Sequence, residues 1–421
     1  MFKFLHAADI HLDSPMHKLE DYEGAPVDEI RGATRRAFEN LVELAIAEKV
    51  AFVLIAGDLY DGDWKDYNTG LYFVSQMSRL READIPIYII AGNHDAASKI
   101  TKSLRLPEGV HIFPSNKPTT VRQEKLNVAI HGQSFSSPAV KKDLSAKYPP
   151  RLKDCFNIGL LHTCATGREG HESYAPCKVE DLRSKDYDYW ALGHVHKREV
   201  LSEDPLIIFP GNIQGRHVRE TGPKGCMLVE VDDNGKTKMH FKSLDVARWF
   251  GLEIDASAAE TGYEILDLVV DRLERLFEEN DGLPLVVRTT ILGESKAHDD
   301  LASDIEKWSN EIRSAALYTS GGGVWIEKVK VKTHLPVDIQ SLKSASGPVG
   351  ELLHYMDETL DNQERLKDLK NVLNDLIKKL PRELKEGGGT AELNDLNWIA
   401  EILEQVRPML MRRLIEKEGA E

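Results

Sequence analysis

Within the first 200 residues, five polar clusters rich in Asp, Asn and His follow short apolar runs. They are Asp9-Ile-His11, Gly57-Asp58, Gly92-Asn93-His94-Asp95, His162 and Gly193-His194-Val195-His196. Short apolar runs alternating with amphipathic stretches predict an α/β fold, and such folds place their chemistry where strands end. Strands are expected at Phe2–Ala8, Ala51–Ala56, Ile85–Ala91, Asn127–His131, Asn157–His162, Tyr187–Leu192, Leu206–Phe209 and Cys226–Val231. Apolar residues at three- and four-residue spacing predict helices over Glu29–Lys49 and Asn68–Ala83.

The residue types in the clusters suit metal binding. Residues two apart on a strand face one side, so Asp9 and His11 converge, as do His194 and His196. A carboxylate offers two oxygens, so Asp58 can bridge. Asn93 brings a neutral oxygen, and His94 beside it suits acid–base work. Each cluster alone could be a turn or a cap. All five together, in this order, point to mixed nitrogen and oxygen binding of two divalent metals.

The motifs resemble those of the calcineurin-like metallophosphoesterases. His6-Ala-Ala-Asp-Ile-His-Leu12, Ala56-Gly-Asp-Leu-Tyr-Asp61, Gly193-His-Val-His196 and Pro210-Gly-Asn212 resemble the SbcD family, the nuclease subunits of SMC-like ATPase–nuclease repair complexes. His131-Gly-Gln-Ser-Phe135, Gly167-Arg-Glu-Gly-His171 and Gly211-Asn-Ile-Gln-Gly-Arg-His217 resemble the YhaO-type branch of bacterial DNA repair exonucleases. The resemblance spans roughly residues 1–245. It implies a four-layer α-β-β-α sandwich with a small α/β capping domain. It also implies that Asp9, His11 and His196 hold one metal, and that Asn93, His162 and His194 hold the other. Asp58 would bridge both, and His94 would position the scissile phosphate and assist the leaving oxygen. Asp61 would accept a hydrogen bond behind the ligands. The donor set suits Mn²⁺ first, with Fe²⁺, Zn²⁺ or Mg²⁺ as alternatives.

The resemblance implies a two-metal DNA exonuclease acting in repair with an SMC-like ATPase partner. The alternative is a phosphodiesterase or phosphatase for a small nucleotide or other phosphoester, because one metal centre serves many substrates on one fold. The formal charge of −15 mildly favours that alternative and argues against a general polyanion-coating protein. A binding subunit with a degenerate centre is a third reading, opposed by the eight competent residues.

The expected organisation is a phosphoesterase domain over 1–247, a small α/β domain over 248–335, a linker over 336–350 and a helical hairpin over 351–421. The small domain reads as strand Trp249–Ile254, helix Tyr263–Glu279, strand Leu285–Leu292, helix Asp299–Leu317 and strand Val324–Thr333. The hairpin reads as helices Glu351–Leu380 and Ala391–Glu416. Leu366, Leu369, Leu373, Leu376 and Leu380 fall on one helical face. That face would pack on its own protein, dock the ATPase coiled coil or make a homodimer contact. No apolar run approaches the roughly 18 residues of a membrane span. Four cysteines without a CxxC pair are read as a cytoplasmic setting rather than a disulfide framework.

Several side chains near the motifs carry ordinary readings. His131, His171 and His217 are loop or strand-end histidines, and Arg31, Arg35 and Arg36 a solvated helix face. Arg216 and Arg219 divide evenly between phosphate contact and surface pairing. Cys164 and Cys177 are inert thiols.

Overall fold

The structure, a computed structural model, describes residues 1–14, 32–61, 67–97, 106–165, 174–336, 343 and 348–379, with ten further positions between 396 and 414. The chain divides into two compact units. One comprises Met1–Leu252, Val269–Thr289 and Ser309–Val329; the other comprises Glu253–Leu268, Thr290–Trp308 and Lys330–Glu421.

The first unit is built on two six-stranded sheets. The first sheet contains β1 (Phe2–Ala7), β2 (Phe52–Ala56), β3 (Ile87–Ile90), β4 (Val110–Ile112), β11 (Gly225–Val231) and β12 (Thr237–Ser243), in the order β12-β11-β1-β2-β3-β4. The second contains β5 (Thr119–Gln123), β6 (Val128–Gly132), β7 (Phe156–His162), β8 (Tyr189–Gly193), β9 (Glu199–Glu203) and β10 (Leu206–Phe209), in the order β5-β6-β7-β8-β10-β9. β1, β2, β3 and β4 run parallel, as do β6, β7, β8 and β10, so the chemistry-bearing strands of each sheet end at one edge.

Both faces of the central strands are buried, which is why they read as continuous apolar runs rather than alternating ones. Phe4, Phe52, Leu54 and Ile90 meet Ile130, Ile158, Leu160 and Tyr189 between the sheets. Leu5, Val53, Ile55 and Ile89 face the other way, onto α1 (Ala33–Ala47) and α2 (Tyr67–Glu82) through Phe38, Leu41, Phe73 and Met77. The outer face of the second sheet buries Leu161, Trp190, Leu192 and Phe209. Its described cover is the short α4 (Val179–Arg183), with Leu182, and loop residues such as Tyr148 and Tyr187. The α-β-β-α order holds, with a thin fourth layer. The remaining short helix of this region, α3, spans Asn93–Ala97.

The small-domain region carries a third sheet in the order β13-β14-β15, formed by β13 (Arg248–Asp255), β14 (Leu285–Glu294) and β15 (Val324–His334). Its helices are α5 (Gly262–Glu278), α6 (His298–Ser303) and α7 (Ile305–Thr319). The single helix expected over Asp299–Leu317 is therefore two. Asp304 leaves helical geometry at φ −152° and its Oδ1 accepts from Lys307 N at 2.9 Å, capping α7.

The long helix expected over Glu351–Leu380 is also two, α8 (Pro348–Leu360) and α9 (Gln363–Lys379). Asn362 breaks it, with Oδ1 accepting from Glu364 N at 2.9 Å. α8 begins at Pro348, ahead of the start expected at Glu351. Leu353 and Met356 of α8 pack with Met411, and Arg407 donates to Asp357 Oδ1 at 2.6 Å. Most of the helix expected over Ala391–Glu416 lies outside the described residues, as do Leu380, Arg31 and His171. Among the described residues, no helix is long and apolar enough to cross a membrane.

Candidate metal centre

The ends of β1, β2, β3, β7 and β8 meet at one place. Asp9 and His11 follow β1, Asp58 follows β2, Asn93 and His94 open α3 after β3, His162 ends β7, and His194 and His196 follow β8. Asp9 N donates to Gly57 O at 3.1 Å and His11 N to Asp58 O at 3.0 Å, continuing the β1–β2 pairing past the strand ends. Four of these residues have a left-handed backbone: Asp9 at φ 51°, His11 at 47°, Asp58 at 52° and His194 at 106°. L residues avoid this region, and such conformations concentrate at functional sites.

Glycine permits the approach of the sheets. A Cβ on Gly193 would lie 1.9 Å from Ala56 O, and one on Gly92 would lie 2.2 Å from Asp58 Oδ1. Any side chain at either position would push the ligand-bearing loops apart.

All eight side chains singled out in the sequence come together. Ligand atoms of Asp9, His11 and His196 lie within 4.8 Å of one another, as do those of His11, Asp58 and His94 and those of Asp58, His162 and His194. Both oxygens of Asp9 accept from His194 N at 3.0 Å. Asp58 Oδ1 accepts from His94 N at 2.9 Å, and its Oδ2 is 3.9 Å from His11 Nε2 and 3.5 Å from His162 Nε2. Asn93 Oδ1 lies 3.0 Å from His162 Nε2 and 3.3 Å from His194 Nδ1. His162 Nδ1 donates to Ala56 O at 2.8 Å, so Nε2 is the ring atom turned toward the centre.

The donors suit a divalent cation. The Nε2 atoms of His11 and His196 face each other at 3.2 Å. His11 Nδ1 is buried without a hydrogen-bond partner, with Asp61 Oδ1 3.5 Å away. Converging imidazole nitrogens, two buried carboxylates and an amide oxygen form the mixed set that borderline divalent metals take.

Charge reinforces the fit. Burial works to raise the Asp58 carboxyl, but the imidazoles of His162, His11 and His94 outweigh it and hold it well below the usual carboxylate range. Burial alone would depress His162; the Asp58 carboxylate beside it wins and pushes it up to about 9. Burial pulls His11 down to about 3, aided by the Arg216 guanidinium. Asp9, His11, Asp58 and His162 are almost fully buried, whereas the side chains of His94 and His196 keep 39% and 23% exposure, so these two stand at the opening.

Three further residues support the centre, of which Glu220 alone had no place among the sequence motifs. Asp95 is buried and accepts from Leu59 N, Tyr60 N and Gly92 N at 2.8–3.1 Å, tying the loop after β2 to the loop after β3. It sits inside the Gly92–Asp95 cluster, and that placement was the available signal. Glu220 accepts from His196 Nδ1 at 2.5 Å. Arg216 is paired but not at the surface: its side chain is 14% exposed and its guanidinium lies 3.5 Å from both Asp61 Oδ2 and Glu220 Oε1. Asp61 accepts from His94 Nδ1 at 2.8 Å, behind the expected ligands. Arg35, read as solvated, grips Asp13 with two hydrogen bonds. His131 is a core residue held by Thr120 and Asn157. Cys177 is buried, and burial pushes its thiol up to about 12, as suits an inert group.

Comparison with known proteins agrees with this geometry. Residues 2–198 match the calcineurin-like phosphoesterase family, and residues 249–334 match the middle domain of the metallophosphoesterase YhaO. The uncharacterized metallophosphoesterase YhaO of Bacillus subtilis is 36% identical over 294 residues, covering 69% of this chain and 71% of that protein. The DNA double-strand break repair protein Mre11 of Sulfurisphaera tokodaii is 26% identical over 353 residues, covering 80% and 85%. Mre11 of Sulfolobus acidocaldarius is 23% identical over 380 residues, covering 85% and 92%. With this geometry and these matches, the chain belongs to the calcineurin-like metallophosphoesterases, in the branch that carries a YhaO-type middle domain.

Proposed function

We propose that this metallophosphoesterase is a two-metal DNA exonuclease that hydrolyses phosphodiester bonds in DNA repair. One observation carries the metal part of the reading. Asp58 belongs to two donor groups at once, one with His11 and His94 and one with His162 and His194. A carboxylate placed between two sets is what a shared ligand requires. The nucleic-acid part is supported by the two relatives described as DNA double-strand break repair proteins.

In this reading Asp9, His11 and His196 would hold one ion, Asn93, His162 and His194 would hold the other, and Asp58 would serve both. Mn²⁺ fits the mixed donors, with Fe²⁺, Zn²⁺ or Mg²⁺ as alternatives. Bound there, the ions supply activated water and neutralise charge on the phosphoryl oxygens. The chain's own part is to orient and to move a proton. His94 stands at the opening with its Nδ1 held by Asp61, so its Nε2 is free to meet the phosphoester. The Asp61 hydrogen bond raises the His94 pKa against the opposing effect of burial, which keeps a proton available for the leaving oxygen. The buried floor of Asp9, His11, Asp58 and His162 excludes bulk water from beneath the substrate.

DNA is the proposed substrate and an SMC-like ATPase the proposed partner, docked through the C-terminal helices, with homodimerisation as the other role of that face. The test is digestion of end-labelled linear duplex DNA with Mn²⁺ by wild type, His94→Ala and Asp58→Ala. Metal-dependent shortening that both substitutions abolish supports the nuclease. Intact DNA alongside hydrolysis of an aryl phosphodiester, with the ATPase partner present, would instead assign the centre to a small substrate.

A further inference from the structure

Glu220 lies outside every motif, yet its carboxylate is among the most completely satisfied at the centre. Its side chain is 5% exposed. Oε1 accepts from His196 Nδ1 at 2.5 Å, and Oε2 accepts from Asn212 Nδ2 at 3.0 Å and from Arg216 N at 2.8 Å. Arg216 Nη2 and His217 Nε2 stand 3.5 Å from Oε1. A buried carboxylate is costly unless paired and hydrogen-bonded, and Glu220 is both.

The carboxylate dictates a tautomer. An ionised carboxylate only accepts, so the hydrogen of the short contact sits on His196 Nδ1. With Nδ1 carrying that hydrogen, Nε2 is the ring atom left for a cation. That atom faces His11 Nε2 at 3.2 Å, inside the Asp9–His11–His196 group. The backbone of His196 is fixed too, since Lys224 Nζ donates to its carbonyl oxygen at 3.0 Å. Arg216 spans Glu220 and Asp61, balancing the charge of both carboxylates.

We propose that Glu220 is a positioning residue for the first metal position: it fixes His196 in the Nδ1–H tautomer and aims Nε2 at the cation. This rests on the reading of Asp9, His11 and His196 as a cation site. The variant that isolates the role is Glu220→Ala, with Glu220→Gln as the conservative partner, because an amide oxygen still accepts the Nδ1–H.

The experiment is calorimetric titration of the metal-free full chain with Mn²⁺, with thermal unfolding in EDTA as the fold control. Wild type should bind two ions. Glu220→Ala should lose about 10- to 100-fold in affinity at one position and keep the other, the usual cost of removing a carboxylate behind a ligating histidine. Glu220→Gln should recover most of the loss. Two ions bound alike by wild type and a folded Glu220→Ala overturn the role of Glu220 alone. A wild type that binds no Mn²⁺ overturns the metal reading beneath it. If Glu220→Ala does not fold, imidazole ¹⁵N spectra of the metal-free wild type decide the matter. Protonation of His196 at Nδ1, assigned with His196→Asn, supports the proposal, and protonation at Nε2 overturns it.

Discussion

His94 Nδ1 donates to Asp61 Oδ1 at 2.8 Å, while the backbone N–H of His94 donates to Asp58 Oδ1 at 2.9 Å. The residue that faces the opening is therefore tied by its ring and its backbone to two different carboxylates. Asp61 raises the His94 pKa, so the protonated, active form persists to higher pH than a free imidazole allows. Activity that uses this proton is present below the His94 pKa and lost as pH rises through it. Asp61→Asn removes the charge, lowers that pKa and moves the alkaline limb of the rate profile to lower pH. A fall in kcat of about 10- to 100-fold is expected at pH 8, part of the range seen for acid–base groups. The pH profile of aryl phosphodiester hydrolysis checks it, and an unshifted alkaline limb would show that Asp61 does not act through His94.

Gly193→Ala tests the contact between the sheets. The added Cβ would lie 1.9 Å from Ala56 O and 3.1 Å from His162 Nδ1. Overpacking of this kind costs about 1–3 kcal/mol. The variant should melt lower and lose Mn²⁺ affinity at the position that uses His162 and His194. Unchanged melting and binding would mean that the close approach is dispensable.

His6 should make the protein sensitive to acid. It is fully buried between the sheets, with Tyr189 Oη donating to Nδ1 at 2.9 Å and Nε2 donating to Leu192 O at 3.1 Å. Burial pulls its pKa from the ordinary 6.5 to about 3. Above pH 6.5 the ring is neutral in both folded and unfolded chains, and its contribution is complete. As pH falls from there toward 3, the unfolded chain takes up a proton that the native state refuses, and stability drops. The slope from this one group approaches about 1.4 kcal/mol per pH unit. Urea unfolding in EDTA between pH 7.5 and 5 should show a shallower loss in His6→Gln than in wild type, and parallel curves would count against the buried neutral ring.

The C-terminal helices carry the partner expectation. Leu366 on α9 is buried and Leu369 half-buried, while Val372 on the same helix is 74% exposed. Leu369→Ala combined with Leu373→Ala should weaken capture of an SMC-like ATPase coiled coil at least 10-fold by pull-down titration. Unchanged capture, with unchanged self-association in sedimentation, would remove α9 from both proposed interfaces.

The eight side chains of the centre were legible because each sits at the end of a strand whose apolar run is unmistakable. Phe52–Ala56 and Ile87–Ile90 are buried on both faces, so hydrophobicity alone marks where Asp58 and Asn93 must emerge. Glu220, Arg216 and Asp95 lie in loops or a single helical turn, where no period announces them. Glu220 reaches its histidine from 24 positions away, a distance only the fold can close. The missed strands β4, β5, β9 and β12 are short or have a polar, exposed face, as edge strands do. The breaks at Asp304 and Asn362 were hidden because apolar spacing continues through a one- or two-residue interruption, and only the cap geometry exposes it.

In the proposed centre Asp58 lies between two cations. Anomalous diffraction from crystals grown with Mn²⁺ tests it directly. Two peaks are expected, one against Asp9, His11 and His196 and one against Asn93, His162 and His194, each within bonding distance of Asp58. A single peak, or two that leave Asp58 uncoordinated, would contradict it.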